Sequence, residues 1–277
     1  MSAAAERRNW GISALLLVYA VITLAIPFSV AVLWSFVDRR NGWFAPDLLP
    51  PSLSLSFWHE VLASPGIIAA LARSGIIAVL VTTLTCALAI PTAWALARIP
   101  FRAKRAVEIF VLAPLIVPGI IVAVSLTEIF ISFGLFGTML GVILVQTVGT
   151  LPLMIRILTA SLENFPQEVF HAARTLGATP LQIVPRIVVP MVAPAFVAGG
   201  LLSFIASLEE FEKTFMVGAP RIQTIATRLW SFLGGELIIF PTAAVVTFIL
   251  LVPTVIIFFV AQRLIRDEDL AAGMGKL

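Results

Sequence analysis

The residues best suited to chemistry in this chain form a short acidic run, Glu209, Glu210 and Glu212, followed at once by Lys213. Glu128, far away in sequence, is a further carboxylate in apolar surroundings. Charges in or near lipid are expensive and usually face a cavity or a partner. One chemistry suits such carboxylates. A cation that gives up its hydration is compensated by a charge-assisted hydrogen bond, and transit requires that it is not held too tightly. Glu209 and Lys213 stand at i, i+4 in the favourable order, so Glu209 and Glu212 read equally well as members of a surface pair. On that pairing Glu210 is the carboxylate left for a ligand. Glu128 reads equally as a snorkelling group or a partner of Arg221 or Arg228. Reactive chemistry is harder to build. His59 and His171 are the only histidines and Cys86 is the only cysteine. That excludes a disulfide framework, a Cys-based metal site and a His-rich relay. No catalytic residue, metal ligand or cofactor is assigned. No G-x-x-x-x-G-K-[ST] run occurs, so the chain does not bind ATP by that device.

The elements that must position these carboxylates are set by composition. Hydrophobic residues are 60% of 277 and charged residues 12%, with a mean hydropathy of +1.07, which marks an integral membrane protein. Uncharged runs long enough to cross a bilayer start with 10–36, read as a retained span, since it exceeds the core of a cleaved signal. The second is 74–97. The third, about 109–133, is broken by Pro114 and Pro118 and carries Glu128. The fourth is about 138–157. The fifth begins near Pro190 and climbs to the acidic run, and the sixth is 237–262. Basic residues at Arg7, Arg8, Arg98, Arg102, Lys104, Arg105, Arg156, Arg174, Arg186, Arg263, Arg266 and Lys276 outnumber two to one those assigned to the other side. By the positive-inside rule this gives six spans with both termini cytoplasmic. The expected fold is therefore all-α, one transmembrane domain over residues 1–277. The basic pI of 9.6 reflects these loops and does not point to nucleic acid. Gly199, Gly200 and Ser203 are small enough to let another helix approach closely.

The stretch 163–190, ENFPQEVFHAARTLGATPLQIVPRIVVP, is polar, proline-punctuated and cytoplasmic by the same charge counting. Pro166 suits a first helical turn, Glu168 favours the dipole there, and Gly177 suits the stop. Val169, Ala172, Ala173 and Leu176 recur at i, i+3, i+4, i+7, one apolar stripe. Thr179, Pro180 and Gln182 form a second start in the manner of a capping box, and Pro185 and Pro190 are expected to limit that piece. The result is a compact knob of two short helices.

The knob's spacing carries a family resemblance. Ala172-Ala173, three residues, Gly177, nine residues, Ile187, one residue, Val189-Pro190 resembles the EAA loop of ABC-importer permeases. That loop reads Glu-Ala-Ala, three residues, Gly, nine residues, Ile, one residue, Leu-Pro. His171 stands where the Glu belongs and Val189 where the Leu belongs. ALARIPFRAKR after the second span and SFIASLEEFEKTFMVGAP on the fifth look similar to the same binding-protein-dependent permeases, most of all the second permease subunit of spermidine/putrescine importers. The resemblance implies a MetI-like fold, a sister permease, two ATPase subunits, a periplasmic binding protein and residence in a bacterial inner membrane. Phe170, His171, Ala172, Ala173 and Gly177 would then couple to the ATPase, and Glu128, Glu209 and Glu210 would line the path of a polyamine or related small organic cation. Iron, opine and thiamine importers share related subunits, so other small solutes stay open. A secondary carrier would need inverted repeats, and no clear internal repeat is seen.

Overall fold

The computed structural model describes residues 3–234 and 239–264. Arg266 and Lys276, counted above as cytoplasmic, lie outside them. Among the described residues the chain is almost wholly helical, with one isolated antiparallel bridge between Val37 and Leu53. Helices satisfy every backbone group internally, which lipid demands. By compactness the chain falls into two units: residues 1–65 with 229–249, and residues 66–228 with 250–277.

The first unit contains α1 (Ala3–Ser35), α2 (Ser56–Ala63) and the end of α11 (Ile225–Leu233) with the start of α12 (Phe240–Leu264). From Leu15 to Val30 every side chain of α1 is exposed, and this stretch is long and apolar enough to cross a membrane. At its end Trp34 packs at 4.8 Å on Trp43 and at 5.1 Å on Phe240. Trp58 of α2 stacks at 6.3 Å on Phe248. An Arg39–Glu60 pair at 2.8 Å closes the loop between α1 and α2.

The second unit holds α3 (Pro65–Arg98), α4 (Lys104–Ile116), α5 (Gly119–Ser132), α6 (Met139–Glu163), α7 (Gln167–Thr175), α8 (Pro180–Ile183), a π-helical turn (Val184–Val188), α9 (Val189–Leu208) and α10 (Glu212–Gly218). Among the described residues five helices are long and apolar enough to span, or six if the bent pair α4–α5 is one span. The six expected runs are thus recovered, with the third sharply bent. Val117 and Pro118 are extended, with ψ of 131° and 133°, because a residue preceding proline is pushed out of the helical region. The chain turns there by 104°.

The fifth span corrects an expectation. Pro185 and Pro190 do not end the knob's second helix: α8 runs through the π turn into α9 without interruption, and residues 181–208 qualify as one span. A widened turn makes room for the proline ring beside the preceding carbonyls, where a regular turn would clash.

The core lies between α3, α6, α7, the π turn and α9. Ala89, Ala93 and Leu96 meet Met154, Ile155, Leu158 and Leu162, with Phe165, Ile183 and Val188 closing the base. Gly199 serves close approach as its size suggests. A β-carbon there would collide with the Met154 sulfur, whereas one at Gly200 would meet nothing within 4 Å.

Candidate functional site

The knob is built on the C-terminal end of α3. Arg98, its last residue, donates from Nη2 to the carbonyls of Leu162 (2.6 Å) and Phe165 (3.0 Å). Its guanidinium also sits 5.2 Å over the Phe165 ring. A charged donor thus joins the Phe165 amide on the Leu162 carbonyl and reaches the Phe165 carbonyl just beyond α6. Lys104 adds weaker, half-exposed contacts to Glu108 (3.8 Å) and Glu163 (3.6 Å).

α7 follows. Pro166 sits one position earlier than expected, at the N-cap, and Glu168 and Arg174 occupy the first and last turns, each opposite the favourable end of the dipole. The stop at Gly177 forms in full. The amide of Gly177 donates to Arg174 O (2.9 Å) and that of Ala178 to Ala173 O (3.0 Å), with Gly177 at φ +87°. These two bonds define the Schellman motif, whose left-handed residue is ordinarily glycine. The second start is half a capping box: Gln182 Oε1 accepts from the Thr179 amide at 3.0 Å.

The stripe's direction needs correction. Phe170 and Ala173 are half-buried and pack against the chain's own core, together with Ala178 and Ile187. His171 and Ala172 are exposed, and the His171 ring meets Phe170 edge-on at 6.4 Å. What projects is Leu176, 89% exposed, and Leu181, 88% exposed, on either side of Gly177. Between knob and spans lies a cavity of about 200 Å³ lined by Trp94, Arg98, Phe165, Gln167, Phe170, His171 and Val188.

The carboxylates lie at the far end of α9. Glu209 ends that helix, and Glu210 and Phe211 form a break before α10. Here the expected pairing is wrong. Lys213 bonds not to Glu209 but to Glu210, three residues away. The ammonium stands 2.6 Å from Oε2, and the Lys213 amide donates to Oε1 at 2.8 Å. An i, i+3 pair serves as well as i, i+4 on a helix, and the break lets the Glu210 side chain turn back over the first turn of α10. Glu210 is therefore not the free ligand. Glu209 instead accepts from the Thr254 hydroxyl (3.1 Å). Glu128 is exposed and, among the described residues, has no ion pair.

Beside this break lies a polar group that the sequence reading passed over. Gln146, buried in mid-α6 at 1% exposure, donates from Nε2 to Thr214 Oγ1 (2.7 Å) and accepts from the Ser207 hydroxyl. One amide thus bonds both sides of the α9–α10 break. A lone glutamine in an uncharged run was the available signal, since a buried amide must find partners.

A broken-span helical unit with a glycine-turned knob at one end is accompanied by a sequence match. The family of the binding-protein-dependent transport system inner membrane component matches residues 87–268. The chain belongs to that family. It is a membrane subunit of a transporter and not an enzyme. This permease is 29% identical over 208 residues to the spermidine/putrescine permease PotC of Haemophilus influenzae, covering 75% of this chain and 79% of that one. It is 27% identical over 220 residues to the sulfate permease CysT of Escherichia coli, with 75% and 79% covered. To the osmoprotective-compound permease GgtD of Synechocystis it is 26% identical over 261 residues, with 88% and 86% covered. Its fold is similar to that of a bacterial ABC transporter involved in the import of the acidic polysaccharide alginate, with a TM-score of 0.74 at 16% identity, 95% of this chain and 98% of that chain being covered. The MetNI methionine ABC transporter gives a TM-score of 0.57 at 21% identity, covering 73% and 98%. The MetI-like permease fold expected from the EAA-like spacing is thereby found.

Proposed function

We propose that this chain is one half of the translocation path of an ABC importer. A sister permease supplies the other half, one of two ATP-binding subunits docks on the 163–190 knob, and a periplasmic binding protein delivers the solute. The observation that carries this reading is the Gly177 turn, which holds Leu176 and Leu181 out from a knob continuous with a spanning helix. Such a knob passes motion in the ATPase directly into the fifth span. The basic residues at the knob's end support cytoplasmic termini, and the lipid-facing apolar surface supports a multi-pass position in the bacterial inner membrane. Within the knob, Phe170 and Ala173 act as its root, His171 and Ala172 as its exposed face, and Gly177 as its turn.

For the solute we infer a polyamine or related small organic cation. The PotC similarity supports this, as does the charge balance at the far end of α9. With Lys213 neutralised by Glu210, the remaining carboxylates there are Glu209 and Glu212, and Glu128 stands unpaired on α5 among the described residues. An anion would call instead for a free lysine or arginine along its path. The experiment is uptake by the reconstituted importer. Glu128→Gln and Glu209→Gln should each reduce cation uptake severalfold at unchanged membrane level. A cognate binding protein that prefers sulfate or another anion would overturn the solute and leave the permease reading intact.

A further inference from the structure

The Glu210–Lys213 pair has surroundings that its charges alone do not require. Both side chains are mostly enclosed, at 16% and 12% exposure. Desolvating such a pair costs about as much as its attraction returns, so stability is a weak reason for its presence. The position is more informative. Glu210 lies in the break between α9 and α10, and Lys213 lies in the first turn after it. The lysine stem rests on two glycines of other elements. A β-carbon at Gly149 of α6 would stand 2.9 Å from Lys213 Cε, and one at Gly119 would stand 3.4 Å from Nζ. Gly119 is the first residue of α5, directly beyond the 104° elbow. The Glu212 carboxylate crowds the same spot. One ion pair therefore touches both helix breaks of the unit, and at its two glycine contacts it lies on bare backbone with no side chain to interlock.

We propose that Lys213 is a positioning residue and that its pair with Glu210 is a latch. Closed as here, it holds the α4–α5 elbow and the α9–α10 break together across α6. When these two joints separate during transport the lysine, still held by Glu210 on its own side of the gap, slides off Gly119. Gln146 keeps the α9–α10 break bonded to α6 throughout, because its two partners lie on that side alone. The latch rests on the permease reading but not on any particular solute.

The test uses the complete importer in liposomes and measures ATP hydrolysis with and without its binding protein. Cys86 is first replaced by serine, which leaves no native thiol in this chain, and the partner subunits are used in cysteine-free form. Lys213→Cys and Lys213→Met should each raise hydrolysis in the absence of binding protein by about tenfold, a factor that corresponds to about 1.4 kcal/mol. Treating the Lys213→Cys importer with aminoethyl methanethiosulfonate restores an ammonium on a side chain one atom longer than lysine and should bring hydrolysis back to within twofold of normal. The neutral methyl reagent should not. Gly149→Ala keeps both charges but crowds the lysine, and should shift hydrolysis the same way by a smaller factor. Binding-protein-stimulated hydrolysis by the unaltered importer establishes the permease reading in the same preparation. Equal effects of the two reagents, or unstimulated hydrolysis unchanged in all three variants, would overturn the latch alone.

Discussion

Replacing Gly177 by alanine isolates what the knob's turn contributes. Gly177 sits at φ +87°, and a β-carbon added there meets no heavy atom within 4 Å. The cost of alanine is therefore conformational, with no steric part: holding an L-residue in the left-handed region costs about 1–2 kcal/mol. If the knob must adopt this turn to dock, that cost falls wholly on the docking equilibrium, a factor of about 5–30. Asparagine is the control. It is bulkier than alanine yet tolerates the left-handed region better, so it should fall between glycine and alanine. A steric account predicts the opposite order. The assay is the affinity of the purified ATPase subunits for the permease in nanodiscs, with surface level and thermal stability measured alongside. Alanine affinity indistinguishable from that of glycine, or asparagine weaker than alanine, would refute the reasoning.

Other perturbations separate the knob's parts. Leu176→Asp and Leu181→Asp alter side chains that touch little of their own chain, so each should abolish ATPase binding while the permease stays in the membrane at normal level. Arg98→Ala removes the charged donor from the carbonyls of Leu162 and Phe165, while the Leu162 carbonyl keeps the Phe165 amide at 3.2 Å. Hydrogen bonds from charged donors are worth about 1.5–3 kcal/mol, and amide exchange across residues 165–177 should rise about thirtyfold for a loss of about 2 kcal/mol. Arg98→Lys should recover only part of this, since a single ammonium cannot reproduce the planar donor set. His171→Glu should leave uptake within twofold of normal, because His171 is exposed and Glu168 already shows that a carboxylate is accommodated on α7.

The parts of this protein legible in sequence were those governed by local rules. A glycine separated by three residues from an alanine pair declared the Schellman turn, because backbone conformation alone selects glycine there. Uncharged runs declared the spans, because lipid sets their length. Direction was harder. The stripe Val169, Ala172, Ala173, Leu176 is real, but which residues of a short helix face inward depends on what lies beneath, and Phe170 and Ala173 turned toward the core shared by α3 and α6. Proline misled at Pro114, which lies inside α4, and at Pro185. Pro118 did break its span, but the 104° turn is a tertiary outcome, and Pro185 was absorbed by a π turn that no local propensity announces. Glu210 was misjudged because the pairing of an acid beside a helix break depends on where the break falls, and i, i+4 and i, i+3 choices differ there by a single residue.

The continuity of α8, the π turn and α9 has a mechanical consequence. Residues 181–208 form one rod of 28 residues, about 42 Å long at about 1.5 Å per residue. A tilt of about 10° about its foot would carry its far end about 7 Å sideways, by the same rise per residue. Leu181 stands at the foot and Leu208 at the head, beside the Glu210 break. The wide π turn is a place where this rod can flex without shedding a residue from the helix, so a push on the knob would divide between bending there and swinging the head. The stiffness of five residues, Val184 to Val188, thus sets how much of each stroke reaches the carboxylates.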